Sequence, residues 1–335
     1  MRSFHPVLSA VVPYTTRAML LGLALIALAA VSWGTTGATM TLLSREVAVS
    51  PLLVGWARLA IAAPCLLAGA ALREMLAPAG ADRELGRLLT PAVWRERTLG
   101  PLLVTGLAMA GYQACYFTAV TLTGVAAAAL LAICSAPILI AVLAATFLGE
   151  RLTRAVLVCL VMAVSGTALL VMGPRGPGAI AGHFGVGALL ALGAGLCYAV
   201  YAVTAKGLVS RLQPLTIAAA TFTLGAVFLA PVLASAGRAD LLQRAALPPL
   251  LYLGIGPTAV AYALFCAGLR RVPATAAGII TLLEPLTATT LGVLVFGESL
   301  GVPGAVGAGL MVAALVLLTA ARPGPRARDP VGRAD

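Results

Sequence analysis

The chain has 335 residues, 61% of them apolar and only 10% charged, with a net charge of +11. Such a composition excludes an ordinary soluble domain. The positive balance does not mark a nucleic-acid binder, because the 22 basic residues form no patch and are distributed by membrane side.

Uncharged runs at 18–44, 98–149, 212–237, 245–269 and 299–321 place the chain in a lipid bilayer. A span needs about 20 apolar residues to cross a hydrocarbon core about 30 Å thick. In chain order, residues 1–17, interrupted by Pro6 and Pro13, predict a cytoplasmic tail. The pattern then predicts spans at 19–43, 51–72, 99–120, 124–147 and 154–172. The first is too long for the core of a signal peptide. The loop at 73–98 mixes Arg83, Glu84, Arg87, Arg95, Glu96 and Arg97 with Leu85, Leu88, Leu89 and Trp94; it reads as a solvated loop, with an interfacial amphipathic helix as the alternative. The stretch from Gly173 to Gly178, with Pro174 and Pro177, cannot continue a helix and opens a linker at 174–183. Five further spans follow, at 184–205, 213–235, 247–269, 273–296 and 300–321, and 322–335 is a second cytoplasmic tail. The six cysteines lie inside apolar segments without a metal-ligand spacing and read as packing residues. No metal or cofactor is expected.

An internal duplication runs through this arrangement. Phe117, Ala119, Pro137, Gly149, Glu150 and Leu152 match Phe265, Ala267, Pro285, Gly297, Glu298 and Leu300, all at an offset of 148. Five spans per copy is an odd number, so the second copy (184–321) enters the membrane inverted relative to the first (18–173). The predicted fold is an all-α membrane protein of ten transmembrane helices in two inverted-topology five-helix repeats. With the N-terminus inside, 17 of the lysines and arginines fall on the cytoplasmic side and four outside, which predicts that both termini are cytoplasmic.

Two formal charges lie well inside spans, Arg58 and Glu284. Each costs about 2.5–3.5 kcal/mol at the bilayer centre, so each requires a partner or water. Arg58 is about 10 Å along its helix from Pro51. One reading is structural, with Arg58 bonded to backbone carbonyls or to Glu284. The other is a zwitterion clamp: Arg58 meets a substrate carboxylate, and Glu284 meets an amine or carries a coupling proton. Neither charge has a counterpart in the other copy, where Ala136 and Thr221 stand. Pro137 and Pro285 each remove a backbone donor and predict a helix kink or gate. Glu150 and Glu298 follow Gly149 and Gly297 at helix ends and read as turn residues. Trp33, Tyr112, Tyr116, Tyr198, Tyr201 and Tyr262 are candidates to line a substrate cavity, since their aromatic rings sit deeper than an interfacial belt, and the polar Gln113 beside Tyr112 and Tyr116 is another. Gly187, Ala191 and Gly195 predict close helix packing.

Four motifs carry a resemblance. They are Val31-Ser32-Trp33-Gly34-Thr35-Thr36-Gly37, then Pro51-Leu52-Leu53 with Arg58-Leu59-Ala60, then Ser135-Ala136-Pro137 with Leu148-Gly149-Glu150-Arg151-Leu152, and finally Leu283-Glu284-Pro285 with Phe296-Gly297-Glu298-Ser299-Leu300. In this order they resemble the drug/metabolite transporter superfamily, in its EamA family of ten-span carriers. That resemblance implies export of small metabolites, amino acids among them, across a bacterial inner membrane. The partners implied are a small-molecule substrate and the lipid bilayer; the oligomeric state is left open. Two other readings stand beside it: efflux of cationic or aromatic drugs, and a non-transporting membrane helper. An enzyme is not expected, because no catalytic constellation occurs in the spans.

Overall fold

The computed structural model describes residues 16–47, 50–78, 83–88, 98–172, 184–235, 244–297 and 301–320. All regular structure among them is helical. The first half comprises α1 (Thr16–Glu46), α2 (Pro51–Leu76), the five-residue α3 (Glu84–Leu88), α4 (Leu99–Thr123), α5 (Val125–Phe147) and α6 (Arg154–Met172). The second comprises α7 (Phe184–Leu208), α8 (Pro214–Leu229), the short α9 (Val232–Ser235), α10 (Leu247–Gly254), α11 (Ala261–Leu269), α12 (Ala274–Ile280), α13 (Leu283–Phe296) and α14 (Gly301–Ala320).

Proline and glycine decide where these rods start, widen and break. Pro51 and Pro214 occupy first helical positions, where a missing N–H costs nothing. Between α10 and α11 the helix widens to a π-helical turn over Ile255–Val260, around Gly256 and Pro257. The predicted span at 273–296 breaks at Thr281–Leu282 into α12 and α13, just ahead of Pro285. The Thr281 carbonyl that Pro285 cannot engage accepts the Glu284 N–H at 3.0 Å instead, through a tighter turn. Pro137 lies inside a continuous α5. Gly149 and Gly297 both hold positive φ, 66° and 68°, as predicted for residues that end a helix.

Nine helical stretches among the described residues are long and apolar enough to cross a membrane. The sequence predicts ten. The remaining helix, α6, has a shorter apolar stretch, Arg154–Leu170, among the described residues. The loop at 73–98 contains α3, whose Leu85 and Leu88 pack against the core, so this part is not the fully solvated loop expected. Trp94 and Glu298 lie outside the described residues.

The helix pairings repeat. In the order α1, α2, α4, α5, α6 and α7, α8, α10–α11, α12–α13, α14, each rod has a counterpart five places on. The contact of α4 with α7 corresponds to that of α11 with α1, and α5 with α7 corresponds to α13 with α1. The contact of α4 with α8 corresponds to that of α2 with α10 and the wide turn. The pairs α2–α8 and α6–α14 map onto themselves. Small residues permit these approaches: a Cβ on Gly187 would collide with Thr123, and one on Gly195 would stand 2.9 Å from the Ala132 carbonyl oxygen.

Burial is uneven along the bundle. At one end α1, α2, α4, α5, α7, α8, α11 and α12 share a single core that includes Ile26, Leu66, Leu102, Ile140, Leu208, Ile217, Leu269 and Ala277. At the other end the core divides. Leu43, Val54, Leu250 and Leu253 hold α1, α2 and α10 together, while Ala119, Ala128 and Ala191 hold α4, α5 and α7. The large core also reaches Leu229 at the far end of α8, so the first end, the closed one, is held by a single core and the second, the split one, by several.

Candidate functional site

Arg58 lies in α2, only 8% exposed. Of the partners expected from the sequence, a backbone carbonyl or Glu284, it takes neither. Its Nε donates to Thr258 Oγ1 at 3.2 Å, in the π-helical turn 200 residues away. That hydroxyl is itself fully buried and donates to the Leu253 carbonyl at 2.7 Å. Among the described residues this is the one hydrogen bond of the guanidinium, which leaves its terminal nitrogens available.

Glu284 is the second residue of α13 and is half-buried. The break before it turns its helix toward α1, where Gly34 packs so closely that a Cβ would stand 2.7 Å from the Glu284 carbonyl oxygen. No ion pair joins Glu284 to Arg58 among the described residues. The two charges lie within electrostatic reach of one another, and Tyr112, Tyr116 and Tyr262 lie within reach of both.

The six aromatic candidates form one continuous cluster. Trp33 meets Tyr262 at 4.8 Å between ring centres and Tyr198 edge-on at 6.2 Å. Tyr198 continues to Tyr112 at 5.9 Å and to Tyr201 at 6.1 Å, and Tyr112 stacks on Tyr116 at 5.7 Å. Tyr201 closes the circuit to Tyr262 at 5.7 Å. The i, i+4 and i, i+3 spacings of the tyrosine pairs put each pair on one helix face. Tyr112 and Tyr116 remain half-exposed while Trp33, Tyr198, Tyr201 and Tyr262 are buried, so the cluster has an accessible side.

Gln113 adjoins Tyr112 in the chain. It is 1% exposed and turns toward α2, where a Cβ on Gly55 would lie 3.4 Å from its Oε1. Among the described residues that Oε1 has no hydrogen-bond partner, nor have Trp33 Nε1, Thr36 Oγ1 and Tyr198 OH. A buried polar atom left unpaired costs about 1–3 kcal/mol, so these groups favour a polar guest or water. Pro285 adjoins Glu284 in sequence, and both it and Pro137 are buried.

Three contributors escaped the sequence reading. Phe265 touches Trp33, Tyr198, Tyr201 and Tyr262, and Phe222 meets Tyr262 at 4.7 Å. The repeat match of Phe265 with Phe117 was a signal for the first. Thr258 had none, since a threonine in an apolar helix is commonplace. Glu150, a turn residue by sequence, reaches across the repeats: it accepts Ala274 N at 2.5 Å, Thr275 N at 3.0 Å and Thr275 Oγ1 at 2.8 Å. It thereby caps α12, whose preceding Pro273 offers no side-chain cap.

A helical membrane bundle with buried charges and unsatisfied polar atoms at its centre is the architecture of a multi-pass membrane transporter. The chain belongs to the EamA-like transporter family, whose pattern matches twice, at residues 20–172 and 185–320. It is 35% identical over 301 residues to the uncharacterized transporter YwfM of Bacillus subtilis, covering 88% of this chain and 92% of that one. It is 33% identical to the threonine/homoserine exporter RhtA of Salmonella typhimurium over 138 residues, 41% of this chain and 44% of that one. A probable terminal-alkyne amino-acid exporter of Streptantibioticus cattleyicolor is 29% identical, covering 58% of this chain and 64% of that one. A solved crystal structure superposes with a TM-score of 0.73 at 22% identity, covering 91% of this chain and 96% of that one, which shows a shared fold. The protein is a membrane transporter and not an enzyme.

Proposed function

We propose that this transporter exports small zwitterionic metabolites, amino acids or close relatives, by alternating access. The observation that carries the reading is the pair of unlike charges, Arg58 and Glu284, held apart in one aromatic-lined region and not joined to each other. Arg58 takes the substrate carboxylate through its terminal nitrogens, as a fork-shaped donor set suits. Glu284 takes the amine or a coupling proton, and Trp33, Tyr112, Tyr116, Tyr198, Tyr201 and Tyr262 supply the walls, with Gln113 beside them. The exporters among its relatives support an amino-acid-like substrate.

In this reading the ten rods are ten spans, α6 included. They form two inverted repeats, 18–173 and 184–321, about a linker at 174–183, in a bacterial inner membrane with both tails cytoplasmic. With both tails cytoplasmic, the closed end faces inward and the substrate region opens outward in this reading. Pro137 and Pro285 are the helix kinks about which the halves rock. Glu284→Gln in proteoliposomes is the test. It is expected to uncouple amino-acid transport from an imposed pH gradient; unchanged gradient-driven transport would exclude Glu284 as the proton carrier.

A second reading has one supporting observation: a carboxylate among tyrosine rings also suits an organic cation. Cationic drugs would then be carried undiminished by Arg58→Ala, whereas zwitterion transport is expected to fall by at least tenfold.

A further inference from the structure

We propose that Pro257 and Thr258 form a positioning device that aims Arg58 and thereby sets selectivity for a carboxylate over its neutral analogues. The inference rests on the zwitterion reading above and adds the residues that orient its cationic half.

The chain of causes starts with a missing hydrogen. In an α-helix the Leu253 carbonyl would receive the N–H of residue 257, but that residue is proline and has none. The backbone widens there into the π-helical turn Ile255–Val260. The Thr258 hydroxyl donates its one hydrogen to the Leu253 oxygen at 2.7 Å. Having given that hydrogen away, Thr258 Oγ1 faces Arg58 only as an acceptor. Arg58 meets it through Nε at 3.2 Å, the inner nitrogen of the guanidinium. Because the guanidinium is planar and rigid, fixing Nε fixes the plane, and the end-on edge between the two terminal nitrogens faces away from Thr258. Tyr112, Tyr116, Tyr262 and Glu284 lie within electrostatic reach of that charge.

Thr258 is therefore not a substrate ligand. It is completely buried, with its acceptor spent on Arg58 and its donor on Leu253. Its hydroxyl does for the arginine what a carboxylate would do without neutralising it. An acidic residue at this place would form an ion pair and cancel the charge the substrate needs. A threonine holds the geometry and leaves the full positive charge for the incoming anion. Pro257 thus has a role: it withholds the α-helical N–H from the Leu253 carbonyl, which then fixes which way the Thr258 hydroxyl points.

The test uses the full-length protein in detergent. The twenty amino acids are screened by thermal shift, and the strongest binder is compared with its C-terminal amide. Thr258→Val, which keeps the shape and removes the hydroxyl, is expected to weaken the amino acid about tenfold and the amide less than twofold. Thr258→Ser is expected to restore binding to within about threefold of wild type. Pro257→Ala, which returns an N–H to Leu253 and releases the hydroxyl, is expected to lower the preference for the free acid about threefold. Loss of acid-over-amide preference in Arg58→Ala with full retention in Thr258→Val would overturn the positioning device and leave the clamp standing. Equal affinity of wild type and Arg58→Ala for the free acid, or no stabilisation of wild type by any amino acid, would overturn the clamp itself. A merely structural role for Thr258 predicts equal losses for acid and amide, with Thr258→Val lowering the melting temperature alone.

Discussion

The two ends of the bundle are built from matching helices yet behave as opposites. At the closed end, side chains from one half grip the backbone of the other half or of the next rod. Glu150 binds the start of α12, and Lys206 Nζ donates to the Leu269 and Val272 carbonyls at 2.6 and 2.7 Å. Glu84 accepts the Gln213 N–H at 2.9 Å, and Arg270 reaches the Gln213 side chain at 3.2 Å. At the split end the side-chain bonds are Thr35 Oγ1 to Tyr252 OH at 2.8 Å, which joins α1 to α10, and Trp56 Nε1 to the Ala226 carbonyl at 3.2 Å, which joins α2 to α8. Charged side chains that satisfy helix termini close a gate firmly, because breaking them exposes several polar groups at once. Both of those bonds at the split end are between uncharged groups.

That contrast can be broken from the closed end, and the largest effect belongs to Glu150. Glu150→Ala strips three acceptor contacts from the start of α12, a loss of about 3 kcal/mol for the closed state. In a cysteine-free background carrying Ala277→Cys, a site buried at the closed end, maleimide labelling is expected to accelerate about a hundredfold. An unchanged labelling rate would mean that Glu150 does not hold this end. Lys206→Met, which removes two bonds to carbonyls, is expected to act in the same direction and more weakly. A loss of about 2 kcal/mol corresponds to about thirtyfold in the same assay. Thr35→Val at the split end should be nearly silent: its bond is exposed and worth about 0.5 kcal/mol, so labelling at Ala277→Cys should stay within about twofold. A Thr35 effect as large as that of Lys206 would erase the distinction between the ends.

Much of this architecture was legible in the residues. Apolar runs located the rods, since a span must be long, uncharged and internally hydrogen-bonded. Arg58 and Glu284 stood out because a charge inside such a run is costly. The six aromatic candidates were legible from helical spacing and depth, and they do meet in one cluster. The partners were not legible. Thr258 lies 200 residues from Arg58 and Ala274 lies 124 from Glu150, and no local pattern announces a contact at that separation. The sequence did mark Glu150 as misplaced, an acid at the C-terminal end of its own helix, where the dipole disfavours it. The structure resolves the misfit by setting that carboxylate at another helix's N-terminus. The uneven core was also invisible, because it depends on how the two halves pack against each other.

The long reach of these bonds has a consequence for how the chain is made. At a synthesis rate of about 5–20 residues per second, the 124 residues between Glu150 and Ala274 take roughly 6–25 s to appear. Arg58 waits longer still, roughly 10–40 s, for the Thr258 that lies 200 residues on. During that interval the first half occupies the bilayer with a buried cation and a helix-capping acid that have no mates. The nascent first half is thus an unfinished object. Its completion, and the sealing of one end against the other, belong to the last moments of synthesis.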